Sequence, residues 1–402
     1  MIRLPKYPKF ANGDQARRIA EISARANLDL ASFSARSCVI TGSNGKGGTA
    51  AMTASILREA GRNVGLFTSP HLFEINERFA RDGAPISDAD LDHHWRRTES
   101  AIDAWLADNP GEAVGGFEFL FLVAASAFEA CDACVWEAGI GGRRDVTRFV
   151  RTPLAAIVSL DLEHTSLLGD TLEAIALDKA DVIAPNGRLL LGQSAAPHAA
   201  AIQAHRPDLT LEIVAPRDWP SPLTGPHQAN NAALAARLAS LMSDANEASI
   251  AKGVARVRWP GRLEAISRDP AIVIDVGHTP AAIAGALQGF LAMHGATPNV
   301  LVVGASADKD ASGALAILAP AFPRIVATRA RHKGRDPAAI AALAAAANPR
   351  AEVAIAPDVA AARAAALARA EAGAIYVAGG LFLAAEMKAL VEGRDPGALA
   401  FF

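Results

Sequence analysis

Short apolar segments with the residue preferences of β-strands alternate with longer helical segments along most of the chain. In the first half these strand-like segments are CVI (38–40), VGLF (64–67), ACVWEA (133–138), LAAIVSL (154–160) and RLLLG (188–192). Helices are predicted from Thr49 to Ala60 and from about Phe117 to Glu129. Apolar strands separated by helices are typical of a parallel sheet covered on both faces. We expect ligands at the carboxyl ends of such strands.

A second series of the same kind follows the segment WPGR (259–262). Its strand-like segments are AIVIDVG (271–277), NVLVVGA (299–305), RIVAT (324–328), EVAIA (352–356) and AIYVAGG (374–380). The alanine-rich segments between them are good helix formers. The sequence therefore predicts an α/β protein with two domains. Residues 1–265 would form a large P-loop-type domain with a mostly parallel sheet, and residues 266–402 a smaller Rossmann-like domain.

The composition is that of an ordinary globular protein of 402 residues, with 51% hydrophobic and 20% charged residues. The net charge of −3 provides no basic field of the kind that nucleic-acid binding needs. The most apolar stretch, 117–135, is interrupted by Glu118, Glu129 and Asp132, which favours a buried helix over a membrane span. The N-terminus lacks the apolar core of a signal peptide, and three cysteines fit a reducing compartment. We expect a soluble cytoplasmic protein that binds neither nucleic acid nor membrane.

The segment TGSNGKGGT (41–49) lies between the first predicted strand and the first predicted helix. It contains the Gly-Lys pair of phosphate-binding loops, but two residues separate Gly42 from Gly45 where the common P-loop has four. Glycines let backbone N–H groups converge on an anion, and the helix N-terminus adds a partial positive charge. Lys46 would add a mobile full charge. These residues indicate a phosphate site; the alternative is a glycine-rich turn that caps the helix.

Polar side chains follow the other predicted strands as well. Ser69 lies in TSPHLFEINER (68–78), Glu137 begins EAGIGGRRDVT (137–147), and His164 follows the strand at 154–160. A carboxylate at a strand end beside flexible backbone suits a Mg²⁺ ligand or a group that orients water in phosphoryl transfer. Taken alone, Glu137 fits a structural role equally well, whereas Ser69 in a turn and His164 at a strand end are more often structural. Lys179 on the following helix would ordinarily be solvated.

Further candidates lie in GPHQANNAALAA (225–236), WPGR and DVGHTPAA (275–282). Asn231 opens an alanine-rich helix, and Arg262 lies at the predicted domain junction. Asp275 and His278 follow a strand and precede a helix. Each of these signals is weak by itself.

The order of these segments is more specific than any one of them, and it resembles the folylpolyglutamate synthase/dihydrofolate synthase family of the Mur ligase superfamily. The family shows GTNGKGS, TSPHL…NER, EVGLGGRxDAT, LDHT…LG…IA.EKA, G.HQ..NA, PGR and DGAHNP. This chain has GSNGKGG, TSPHLFEINER, EAGIGGRRDVT, LEHTSLLG…IALDKA, GPHQANNA, PGR and DVGHTP in the same order. The similarity runs from about Ile40 to about Leu383.

The resemblance implies an ATP-dependent ligase that joins a folate-type carboxylate to glutamate. In this family the γ-phosphoryl group of ATP passes to the acceptor carboxylate, and the amine of glutamate attacks the resulting acyl phosphate. Catalysis of this kind depends mostly on positioning and charge neutralisation. By the same resemblance, residues 1–265 would be the ATP-binding domain, residues 266–402 the C-terminal ligase domain, and the protein a monomer.

The matching motifs also imply roles for individual residues. Lys46, Glu137, His164 and Lys179 match catalytic residues. The ATP contacts would be Gly42, Asn44, Gly45, Lys46, Gly47, Gly48, Thr49, Asn231, Arg262, Asp275 and His278. The Mg²⁺ ligands would be Ser69, Glu137 and His164, with Thr49 as a further candidate. Lys179 matches a lysine that becomes carbamylated in this superfamily and then supports a second Mg²⁺. The candidate substrate contacts are Phe117, Arg78, Arg143 and Asp145.

The chain departs from the family pattern in the loop at 41–49 and on the acceptor side. In the loop, Gly48 stands where the family has serine, and Thr49 is the candidate replacement for that hydroxyl.

Two alternatives to the folate ligase stay open. On the acceptor side, Gly115, Gly116 and Arg148 differ from the family and favour a paralogue that acts on a non-folate carboxylate. The second alternative is a nucleotide-binding regulatory protein without ligase activity, which the loss of catalytic residues would have favoured. Those residues are present.

Overall fold

The computed structural model describes residues 4–295 and 298–401, which form two compact units. Unit 1 contains the described residues up to Pro222 together with Gln228–Arg258, and unit 2 contains Leu223–His227 and Trp259–Phe401. The domain boundary between residues 265 and 266 stays a prediction. Both units have the α/β class that the sequence predicts.

Unit 1 is built on an eight-stranded sheet. Its strands are β1 (Ser37–Thr41), β2 (Val64–Phe67), β3 (Phe79–Arg81), β4 (Ala84–Pro85), β5 (Ala133–Glu137), β6 (Leu154–Ile157), β7 (Arg188–Leu191) and β8 (Thr210–Ile213). The spatial order is β4-β3-β2-β5-β1-β6-β7-β8. Six neighbouring strands are parallel to one another: β2, β5, β1, β6, β7 and β8. Strands β3 and β4 extend the sheet beyond β2 with antiparallel pairing. The five predicted strands are confirmed. The sequence did not predict β3, β4 and β8, which are short or carry no buried apolar run.

Helices connect the strands of unit 1. They are α1 (Gln15–Arg25), α2 (Lys46–Glu59), α3 (Asp88–Asp108), α4 (Gly116–Ala127), α5 (Thr165–Leu168), α6 (Leu172–Ala180), α7 (Ala199–His205), α8 (Gln228–Met242) and α9 (Glu247–Arg256). Helix α2 begins at Lys46, before the predicted Thr49, because Gly45 adopts a left-handed conformation and starts the helix there.

Helix α4 lies in the core of unit 1, as its apolar sequence predicts. Its residues from Phe119 to Ala125 are fully buried. The charged residue of its first turn, Glu118, is also buried and is paired with Arg18 of α1 through two bonds of 3.0 and 2.9 Å. A buried charge is tolerated when it is paired and hydrogen-bonded. Within the described residues, no helix combines the length and apolarity needed to cross a membrane.

Unit 2 is built on a six-stranded sheet. Its strands are β9 (Glu264–Arg268), β10 (Ala271–Ile274), β11 (Val300–Val303), β12 (Arg324–Ala327), β13 (Glu352–Ile355) and β14 (Ile375–Ala378). The order is β13-β12-β11-β14-β10-β9, and every pair is parallel except β10 with β9. The helices are α10 (Pro280–His294), α11 (Ala311–Leu318), α12 (Pro337–Ala347), α13 (Val359–Leu367) and α14 (Leu381–Val391). The five strands predicted here are confirmed; β9 was not predicted because its exposed and half-buried residues form no apolar run.

Two glycines of unit 2 both have positive φ values but differ in the space around them, so substituting each by alanine tests how closely the backbone packs. Gly379 has a φ of +121° and follows β14, and a Cβ added there would lie 1.7 Å from the carbonyl oxygen of Gly304. Gly393 also has a positive φ, +71°, but an added Cβ would have no described atom within 4 Å.

We predict that Gly379→Ala lowers the free energy of unfolding by more than about 3 kcal/mol, because the backbone after β11 must move. Gly393→Ala should cost about 1–2 kcal/mol, the strain of a left-handed alanine alone. Urea denaturation followed by far-UV circular dichroism measures both, and equal losses would contradict the packing at Gly379.

Candidate functional site

The loop between β1 and α2 in unit 1 requires glycine at two positions. Gly42 and Gly45 have φ values of +144° and +82°, a region that L side chains avoid. A Cβ at Gly42 would lie 3.0 Å from the backbone nitrogen of Ser159, and one at Gly45 would lie 2.7 Å from Oδ1 of Asn231. The loop backbone is therefore in close contact with the chain after β6 and with the start of α8. The predicted contact residue Asn231 lies beside the loop.

Hydrogen bonds hold this loop in one conformation. Lys46, the first residue of α2, donates from Nζ to the carbonyl oxygens of Gly42 and Ser43 at 2.8 and 3.4 Å. The Ser159 hydroxyl accepts from the Asn44 amide and donates to the Asn44 carbonyl, both at 2.8 Å. Amide groups in the first turn of a helix have no partner within the helix and are suited to bind anions. The loop thus presents backbone donors and one lysine at a helix N-terminus.

Thr49 lies in the same turn of α2 and is fully buried. Its backbone nitrogen donates to the Gly45 carbonyl at 2.9 Å. Its hydroxyl oxygen has no hydrogen-bond partner within residues 4–295 and 298–401. A buried polar atom without a partner costs free energy that a ligand or a bound water can recover. The interpretation of Thr49 as the replacement for the family serine stays a prediction.

Glu137 is the last residue of β5 and is buried, at 4% exposure. Its Oε2 accepts a hydrogen bond from the backbone nitrogen of Ser69, which follows β2, at 2.8 Å. Mg²⁺ in proteins commonly takes one or two carboxylates and keeps several waters. Glu137 with the neighbouring Ser69 hydroxyl fits such a partial ligand set. Among the described residues, no group of three or more His, Cys, Asp or Glu side chains is arranged to hold a metal.

Lys179 on α6 is a buried lysine, with 1% of its side chain exposed, and its Nζ lies 2.9 Å from Oε1 of Glu163. Burial lowers the pKa of Lys179, Lys46 lowers it further, and Glu163 raises it. The pKa of Glu163 is lowered although burial raises it, because the positive charges of Lys46 and Lys179 outweigh burial. The structure therefore brings Lys46, Glu163 and Lys179 together. Glu163 belongs to the segment LEHTSLLG, but no role for it was predicted from the sequence.

His164 itself is exposed and opens α5 with a left-handed φ of +45°. It is adjacent in sequence to Glu163, whose pKa it helps to lower. The assignment of His164 as a Mg²⁺ ligand stays a prediction.

Two of the predicted substrate contacts, Asp145 and Arg143, are engaged with protein groups. The Asp145 carboxylate is buried and accepts from the amides of Gly139, Ile140 and Thr147 and from the Thr147 hydroxyl, at 2.6–3.1 Å. Burial raises the pKa of Asp145, and these hydrogen bonds act in the opposite direction. Arg143 is exposed and donates from Nε to Asp181 at 2.8 Å. Their contact with substrate stays a prediction.

The other two predicted substrate contacts lie nearer the strand ends. Arg78 is buried and donates from Nε to Nδ1 of His71 at 2.8 Å. Burial lowers the pKa of Arg78 to about 10, while Glu137 raises it. Phe117 is half-buried, with its ring centroid 5.6 Å from that of Phe67 at the end of β2.

The predicted nucleotide contacts in unit 2 follow β10. Asp275 is buried, and its carboxylate accepts from the amides of Gly277 and Leu263 at 2.7 and 3.1 Å. Burial raises the pKa of Asp275, whereas the charge of Arg262 lowers it. His278 is exposed and lies just before α10. Arg262 and Asp275 are thus electrostatic neighbours within unit 2.

Comparison with known proteins relates most of the chain to one family. Residues 261–381 match the family described as Mur ligase, glutamate ligase domain. Over 355 residues the chain is 30% identical to a folylpolyglutamate synthase of Lacticaseibacillus casei, covering 79% of this chain and 82% of that protein. It is 30% identical over 322 residues to a dihydrofolate synthase/folylpolyglutamate synthase of Haemophilus influenzae, covering 70% of this chain and 71% of that protein.

A longer relative and a solved structure complete the comparison. A probable bifunctional folylpolyglutamate synthase/dihydropteroate synthase of Halobacterium salinarum is 36% identical over 310 residues, and the match covers 70% of this chain but 38% of that protein. The chain therefore spans less than half the length of that relative. The structure of Mycobacterium tuberculosis folylpolyglutamate synthase complexed with ADP superposes with a TM-score of 0.86 at 27% identity, covering 96% of both chains.

We predict that Glu163→Gln lowers the free energy of unfolding of unit 1 by about 3–5 kcal/mol, the usual cost of leaving a buried charge without its partner. Glu173→Gln, at an exposed position on α6, is the matched control and should be nearly neutral. Urea unfolding at pH 7 followed by tryptophan fluorescence measures both. If the two variants unfold alike, Glu163 is not the counterion on which the burial of Lys179 depends.

Proposed function

This chain belongs to the folylpolyglutamate synthase/dihydrofolate synthase family, and on that premise we propose that it is an ATP-dependent ligase that joins a folate-type carboxylate to glutamate. The observation that carries the proposal is the set of charges in unit 1. Lys46 begins the helix after a glycine loop held by hydrogen bonds, and the buried pair of Glu163 and Lys179 lies beside it. The solved Mycobacterium tuberculosis relative is a complex with ADP, which supports nucleotide binding at such a loop.

In the proposed reaction an oxygen of the acceptor carboxylate attacks the γ-phosphorus of ATP, and the bond to ADP breaks. The loop amides and the Lys46 ammonium would hold the phosphates and neutralise the charge that develops on them. The glutamate amine then attacks the acyl carbon and loses a proton, and phosphate leaves. The residues of this chain act mainly by orientation and charge, which is what phosphoryl transfer demands.

Glu137 and Ser69 would hold Mg²⁺, which neutralises phosphate charge when bound. Lys179 would take part as a carbamate, formed when its neutral amine combines with carbon dioxide. The lowered pKa of Lys179 makes the neutral amine more accessible, although its pairing with Glu163 opposes this. A carbamate would change a buried cation into an anion able to support a second ion.

Gly115, one of the two glycines that favoured a non-folate acceptor, has a local explanation in the close approach of residues 8–11. Gly116 donates its amide to the Pro8 carbonyl at 2.7 Å. A Cβ at Gly115 would lie 3.3 Å from the backbone nitrogen of Ala11, which is tighter than side chains normally pack. The close approach of residues 8–11 therefore accounts for Gly115 without a change of acceptor. This supports the folate assignment. Arg148, which also differs from the family pattern, still favours a paralogue that acts on a non-folate carboxylate.

We predict that Lys46→Ala reduces acceptor-dependent ATP turnover by about 10²–10³-fold, the usual effect of removing one charge-stabilising group from a preorganised site. Lys252→Ala, an exposed lysine on α9, is the control and should leave turnover unchanged. Phosphate release measures both, with circular dichroism to establish that the variants fold. Turnover within threefold of the wild type would refute the phosphate role of Lys46.

The acceptor is decided by a direct screen. Purified protein with ATP, Mg²⁺ and glutamate should release phosphate when dihydropteroate or a reduced folate is added. Release with an unrelated carboxylic acid, and with no pterin, would assign the chain to the non-folate alternative. Nucleotide binding without acceptor-dependent release would instead favour the regulatory alternative.

A further inference from the structure

The segment Gly139–Arg143, here called the glycine segment, follows the Glu137 strand and touches two other parts of the site. The Thr41 hydroxyl, at the end of β1 just before the phosphate loop, donates to the Gly141 carbonyl at 2.7 Å. On its other side the segment lies against α6, the helix that carries Lys179. It thus connects the start of the phosphate loop with the helix of the buried lysine.

Asp178, the residue before Lys179, makes the bonds that join the glycine segment to α6. Its Oδ1 accepts from the Gly142 amide at 2.8 Å, and its backbone carbonyl accepts from the Arg143 amide at 2.9 Å. The exposed ion pair between Arg143 and Asp181 adds to this contact, but surface pairs of this kind contribute little.

The approach between the glycine segment and α6 is close enough to require glycine. A Cβ at Gly141 would lie 2.2 Å from Oδ1 of Asp178. A Cβ at Gly142 would lie 2.6 Å from the carbonyl oxygen of Lys179 and 2.9 Å from its Cα. The backbone of the segment therefore rests directly on the backbone of Lys179.

The glycine segment is also held at its beginning. The buried Asp145 carboxylate accepts from the amides of Gly139 and Ile140 at 2.8 and 3.1 Å. With Thr41 bonded to its middle and Asp178 to its end, the segment is a fixed support. A helix bonded to such a support has little freedom to shift its side chains.

We propose that Asp178 is a positioning residue that sets Lys179 relative to the phosphate loop, through the bond from its carboxylate to the Gly142 amide. The kinetic part of this inference rests on the proposed ligase function. Asp178 would touch neither ATP nor acceptor; it would act by holding α6 against the glycine segment. Misplacement of a site group by about 1 Å can cost about 10²-fold in rate.

The test compares Asp178→Ala with Asp178→Asn, which removes the charge but keeps an oxygen able to accept from Gly142. Glu173→Ala, at an exposed position on the same helix, is the control. One readout is kcat and KM for ATP. The second is the rate at which acetic anhydride acetylates Lys179, measured by mass spectrometry of the digested protein, which needs no ligase activity.

We expect Asp178→Ala to lower kcat at least about tenfold with KM for ATP nearly unchanged, because the residues proposed to contact ATP all lie outside α6. Acetylation of Lys179, almost fully buried in the wild type, should become at least severalfold faster. Glu173→Ala should resemble the wild type in both readouts. Asp178→Asn should keep the wild-type kcat, and its Lys179 should be acetylated more slowly than in Asp178→Ala but somewhat faster than in the wild type, because the Asp178 charge also raises the pKa of Lys179. If Asp178→Ala does not fold, Asp178→Ser takes its place, since its hydroxyl is too short to restore the same bond.

Two results would overturn the inference. Wild-type kcat and labelling in Asp178→Ala would show that the bond positions nothing. Equal defects in Asp178→Asn and Asp178→Ala would assign the effect to charge rather than to the hydrogen bond. If the wild type shows no acceptor-dependent turnover, the ligase proposal fails, and the labelling comparison still decides whether Asp178 holds Lys179 in place.

Discussion

The parallel pairing of β1 with β5 and β6 determines where unit 1 places its charged groups. Ile40 lies in register with Glu137, and Thr41 lies in register with Ile157. The phosphate loop, the Glu137 carboxylate and the segment that leads to Glu163 therefore leave the sheet at the same edge. Parallel strands share this geometry because their carboxyl ends point the same way. The other features of the candidate site are built on that edge.

This edge concentrates positive charge in a buried place. Lys46 and Lys179 both lower the pKa of Glu163, and the charge of Lys46 lowers the pKa of Lys179 while Glu163 raises it. The burial of Lys179 is therefore conditional on a partner, since an unpaired buried ammonium is far more costly than a paired one. Lys46, at the start of α2, is the cation of this group that the proposed function assigns to a nucleotide phosphate.

The sequence predicted five strands in each unit, because each is a short apolar run of a length typical of strands in parallel sheets. It also predicted a glycine loop between β1 and α2, and Gly42 and Gly45 there have positive φ values that glycine permits; its phosphate role stays a prediction. Strands β4, β8 and β9 lie at sheet edges and carry no buried apolar run, and β3 has only three residues, so the sequence did not predict these four. The sequence alone does not show that a Cβ at Gly115 would lie 3.3 Å from the backbone nitrogen of Ala11, because that contact depends on how the chain folds.

By itself the sequence determined the fold class, the elements and the residue types available for phosphate and metal chemistry, because these depend on local propensity and on the order of segments. The tertiary structure alone decided which groups meet. Lys179 pairs with Glu163, Asp178 bonds to Gly142 at a separation of 36 residues, and Thr41 bonds to Gly141 at a separation of 100. Contacts at such separations follow from strand order and register, which no local pattern specifies.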